Sequence, residues 1–127
     1  MQYGFTRTVN LPYEAAVQRV TEELRKQGFG VLTTIDVKET LKQKLNVEFT
    51  KYVILGACNP PLAHRALEVE MNIGLLLPCN VIVYEKEGKT VVGAFDPMTM
   101  VPLVGKIALQ AIAADVKQRL EKVLANI

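Results

Sequence analysis

The spacing of hydrophobic positions changes period several times along this chain, and each change marks an element. Tyr3, Phe5 and Val9 fall on one side of an extended segment, which predicts a first strand. Pro12 suits a first helical turn, and Tyr13, Val17, Val20 and Leu24 then recur at four, three and four residues, a single helical stripe. Gly28 would close that helix as a left-handed cap, with Phe29 behind it as a hydrophobic lock. Phe29, Val31, Ile35 and Val37 alternate as a second strand, and Asp36 with Glu39 resembles a capping box that opens a short helix carrying Leu41 and Leu45.

The next segment, Tyr52 to Ala57, is apolar on both faces and is expected to be the central, most buried strand. A helix is predicted from Pro60 to Asn72, closed by Gly74. Val81 to Tyr84 and Val91 to Phe95 read as strands joined through Glu85–Lys89 as a hairpin. A last helix is predicted from Gly105 to Asn126, because Leu109, Ile112, Val116, Leu120, Val123 and Ile127 share one narrow sector. Each large side chain it buries fully contributes on the order of 1.5–3 kcal/mol before entropy is subtracted. Strands interrupted by helices, with one hairpin, predict an α+β fold: a single domain over residues 1–127, its mainly antiparallel sheet packed with helices.

Composition narrows the function classes. Half of the 127 residues are hydrophobic and Trp is absent, so Val, Leu, Ile and Ala must fill the core, and disorder is excluded. The formal charge is only +2. The densest basic run, Lys38, Lys42, Lys44 and Lys51, is broken by Glu39 and Glu48, which describes a solvated face and argues against nucleic-acid binding. No stretch approaches the roughly 20 apolar residues of a membrane span, and no secretory signal is visible. Two cysteines make no disulfide framework, so a reduced cytoplasmic setting is expected.

Candidate chemistry centres on Gly56-Ala57-Cys58-Asn59-Pro60-Pro61, where a buried strand runs into a helix. Asn59 is a good N-cap, and Pro60 fits a first turn that needs no N–H from it. Cys58 then lies just outside a helix N-terminus, where the dipole can lower a thiol's pKa and make it a nucleophile or metal ligand. The plainer alternative is a small, inert side chain at a strand end. His64, the only histidine, falls with Pro60, Leu67 and Met71 on a second apolar face, roughly opposite the core stripe of Leu62, Ala66, Val69 and Ile73. That second face needs a cover: another part of the chain, a ligand or a second subunit. His64 there is either packed and hydrogen-bonded or a working imidazole.

Pro78-Cys79-Asn80 echoes the first motif at the start of the next strand. If the two strands are neighbours, Cys58, His64 and Cys79 could converge as metal ligands, with Asp96 as a fourth ligand or a base, although the short Cys-x-x-Cys spacing of structural zinc is missing. Asp96-Pro97 is otherwise an ordinary turn. No phosphate loop, nucleophile elbow or paired-histidine helix is present.

Tyr52 through Pro60, then Leu75-Leu76-Leu77-Pro78-Cys79-Asn80-Val81, then Asp96-Pro97, resemble domain-of-unknown-function family three hundred and two over nearly the whole chain. That resemblance implies a compact α+β fold of TATA-binding-protein-like topology and small cytoplasmic prokaryotic proteins that pair as homodimers. It implies no activity, and the topological likeness is no argument for DNA binding. Three functions remain open: a binding domain whose pocket, formed by Cys58, Asn59, His64, Cys79, Asn80 and Asp96, takes a small molecule or metal; a thiol enzyme with Cys58 as nucleophile or redox centre and His64 as base; and a homodimeric assembly module without chemistry. No cofactor is specified by any residue pattern.

Overall fold

Five strands and five α-helices make up the computed structural model, which describes all residues, 1–127. The strands are β1 (Gly4–Val9), β2 (Gly30–Asp36), β3 (Tyr52–Cys58), β4 (Cys79–Lys86) and β5 (Lys89–Phe95). They form one sheet in the order β1-β5-β4-β3-β2, and every neighbouring pair is antiparallel. The helices are α1 (Tyr13–Lys26), α2 (Val37–Leu45), α3 (Pro60–Val69), α4 (Met100–Val104) and α5 (Leu109–Ala125). This is the α+β architecture expected from the alternation of periods.

The core lies between one sheet face and the helices α1 and α5. Along β4, Cys79, Val81 and Val83 are buried, while Asn80, Ile82 and Tyr84 on the other face are exposed or half-buried. Val20 and Leu24 of α1 and Leu109, Leu120 and Val123 of α5 are fully covered against that inner face. The central strand is β4 rather than β3. Tyr52–Ala57 carries apolar residues on both faces, but only Val53, Leu55 and Ala57 face the core; Tyr52 and Ile54 remain half-buried on the opposite side.

Local signals place most boundaries. The Phe29 N–H donates to the Leu24 carbonyl and the Gly28 N–H to the Arg25 carbonyl, with Gly28 at φ +86°, so α1 ends in the predicted glycine cap and Phe29 is buried behind it. The Glu39 N–H donates to Asp36 Oδ1 at 2.9 Å, opening α2. Glu87 and Gly88 both have positive φ, which tightens the β4–β5 hairpin to a two-residue turn.

Two helix boundaries differ from expectation. Glu70 is extended (φ −146°, ψ 108°), so α3 stops at Val69 and Met71–Leu76 forms a separate 3₁₀ segment. Gly105 takes a left-handed conformation (φ +74°) and terminates α4, so α5 begins at Leu109 instead of Gly105. A hydrophobic sector defines which face a helix buries more sharply than where the helix starts.

Candidate functional site

The sheet register brings Cys58 and Cys79 to one place. Ala57 lies opposite Cys79 across the β3–β4 ladder, so the two sulfurs belong to adjacent strand ends. Both are free thiols. Together with Leu62 and Ala63 of α3 and Ile112 and Val116 of α5, they line a cavity of about 50 Å³. No charged residue lines it, and Asn59 is its one amide side chain.

The mouth of the cavity is built by the turn into α3. The Leu62 N–H donates to Asn59 Oδ1 at 3.2 Å, a bond made inside the protein because Asn59 is itself buried. The Gln27–Gly28 turn presses against that amide: a Cβ at Gly28 would lie 2.9 Å from Asn59 Nδ2. Arg119 of α5 donates to the Gln27 carbonyl at 2.9 Å. The end of α1, the start of α3 and the middle of α5 are thereby locked around one opening.

Electrostatics at this opening run opposite to the helix-dipole expectation. Burial pushes the Cys58 thiol up from its ordinary range. Burial, with a smaller contribution from Cys58, pushes Cys79 up to about 11. Cys58 sits one residue outside the cap, and Asn59 already occupies the Leu62 N–H. Desolvation therefore wins, and both sulfurs are neutral thiols at physiological pH.

The other predicted site residues lie elsewhere. The His64 side chain is 75% exposed, with only a loose 3.9 Å approach to Glu68 Oε1, and is not part of the cavity. Its stripe required α3 to continue through Met71; the break at Glu70 removes Met71 from that face and leaves His64 facing outward. Asp96 is fully engaged: one carboxylate oxygen accepts from the Met98 N–H at 2.9 Å and the other from Lys117 Nζ at 2.9 Å. Asn80 is exposed on the opposite sheet face. No three His, Cys, Asp or Glu side chains are placed to hold a metal ion, so the expected convergence of Cys58, His64 and Cys79 does not occur.

A second concavity, of about 460 Å³, lies on that opposite face. Tyr3, Tyr52 and Tyr84 line it with Thr6, Asn80 and Ile82. Its residues come from positions scattered through the sequence, which is why motif reading passes over them. The available signal was strand parity: Tyr52 and Tyr84 alternate out of phase with buried Val53 and Val83.

Comparison with known proteins gives a family described as one of unknown function. No curated protein matches the sequence. A solved structure of an uncharacterized conserved protein from Bacillus stearothermophilus is similar to this chain at 35% identity and a TM-score of 0.92, covering 99% of this chain and 98% of the other. The model of the family described as a domain of unknown function, DUF302, matches residues 5–127. The chain belongs to the DUF302 family.

Proposed function

We propose that this protein binds the apolar end of a small molecule in the cavity at the start of α3. The observation that carries the reading is the cavity's lining, apolar on every side apart from the amide of Asn59 and two neutral thiols at the ends of β3 and β4. A cavity of about 50 Å³ admits a short alkyl end, and such a guest is favoured because entry takes its apolar surface out of water. The thiols act as soft, weakly polar wall, with no imidazole beside them to make a nucleophile.

Calorimetric titration with n-hexanol as probe tests this. The native chain should show saturable heat, and Ala63→Leu, which fills the space from α3, should weaken binding by about tenfold while the protein stays folded. Equal affinity in the variant would remove the cavity as the site.

Homodimeric assembly is a second reading, favoured by a specific patch. Met71, Leu75, Leu103 and Ile107 are 73–89% exposed on two segments that Lys106 ties together through Glu70 at 3.0 Å and the Val69 carbonyl at 3.2 Å. Large apolar side chains grouped in this way commonly mark an interface. Sedimentation of Met71→Asp, Ile107→Asp should show a monomer where the native chain shows a dimer; an unchanged sedimentation coefficient excludes this patch as the interface.

A further inference from the structure

The concavity on the open sheet face has the features of a second, chemically different binding site. Three of the chain's four tyrosines gather there. The Tyr52 and Tyr84 rings lie 5.3 Å apart and within 9° of parallel, paired across β3 and β4. Phe49 leans on Tyr52 from the side at 6.3 Å and 49°. In a protein with only eight Phe and Tyr residues and no Trp, a parallel stack on the face away from the core is not accounted for by core packing.

Polar groups ring this wall. Asn80 contributes an amide and Thr6 a hydroxyl, and the Tyr3 backbone is held beside the site by the Asp96 N–H, which donates to its carbonyl at 2.9 Å. Burial first, and Tyr84 and Tyr3 after it, push the Tyr52 phenol up from its ordinary value. Phenols in this state offer hydrogen-bond donors at neutral pH. No Lys, Arg, Asp or Glu is among the twelve residues lining the concavity.

We propose that this concavity binds a neutral, planar ring bearing hydrogen-bonding groups, stacked on the Tyr52–Tyr84 pair and read by Asn80 and the tyrosine hydroxyls. Its volume of about 460 Å³ falls within the usual range for small-molecule sites, roughly 300–1,000 Å³. The absence of charged side chains from the lining disfavours ionic ligands, which would leave water without a side-chain partner. Flat aromatic wall favours a flat ligand over an aliphatic one of equal size.

Indole and cyclohexanol, compared as probes by amide and tyrosine-ring NMR titration, test the proposal. Indole should give saturable shifts at Tyr52, Asn80, Ile82, Tyr84 and Gly93, with affinity about tenfold above that of cyclohexanol. Tyr84→Ala should abolish the effect, and Tyr52→Phe, which keeps the ring and so the fold, should weaken it several-fold through the lost hydroxyl. Shifts confined to Cys58, Leu62 and Cys79 would assign indole to the α3 cavity and overturn the proposal without touching the reading given above. Equal affinity for the two probes, no saturation, or a Tyr84-dependent dimer that occupies the face would overturn it as well.

Discussion

Cys79 is the residue at which burial has the clearest chemical consequence. Its thiol, raised to about 11 in the folded state, is held protonated by surroundings that cannot solvate a thiolate. A thiol whose folded pKa stands above its unfolded one supports the fold while protonated. Its contribution is complete below about pH 8.5 and is lost as pH rises from there through 11. The gap from an ordinary 9.0 to about 11 corresponds to roughly 2–3 kcal/mol. Urea unfolding of the native chain should therefore lose that much more stability between pH 8.5 and 11 than Cys79→Ala does, and parallel pH profiles would show the thiol to be solvated. Cys58, half-buried and also raised, should alkylate slowly at neutral pH, unlike a nucleophile activated by a helix N-terminus. His64 shows the limit of residue-level reading: its angle on the helix was correct, but what lies over it depended on a helix end five residues further on.

At the scale of elements, the turn into α3 is where sequence and structure agree in most detail. Asn59 caps and Pro60 opens the helix as expected, while Gly28, expected only as the α1 cap, also leaves room for the Asn59 amide. Asn59→Ala should cost about 1–2 kcal/mol in denaturant unfolding, because it removes a buried cap bond. Asn59→Asp keeps the acceptor and should recover part of that loss; an alanine variant as stable as the native chain would mean that the cap contributes nothing. The α1 cap and the β4–β5 hairpin were legible for the same reason, since glycine and turn residues act locally. The α3 and α5 boundaries were not. Glu70 has no sequence property that forbids a helix, and its extended backbone is secured by tertiary partners, Lys106 among them. Gly105 was read as a helix start although glycine favours helix ends, and its φ of +74° closes α4.

Across the whole molecule, the sheet order was the missing information. Knowing that β3 and β4 are adjacent makes the meeting of Cys58 and Cys79 a matter of register, and it makes the stacking of Tyr52 on Tyr84 equally direct. Without it, the cysteine motifs stand out because proline and asparagine flank them, whereas isolated tyrosines do not. The two concavities lie on opposite sides of one sheet: a narrow apolar one under the helices and a wide aromatic one on the open face. The TM-score of 0.92 to the Bacillus stearothermophilus protein shows that the relative has the same scaffold.

Titration of the isotopically labelled protein with n-hexanol, followed amide by amide, is the most direct check on the cavity at the start of α3. Saturable shifts should cluster at Cys58, Leu62 and Cys79 and at Ile112 on the helix facing them, with Asn80 and Tyr84 across the sheet unmoved. Shifts that never saturate, or that spread over the exposed patch at Met71 and Ile107 while those four amides stay still, would contradict it.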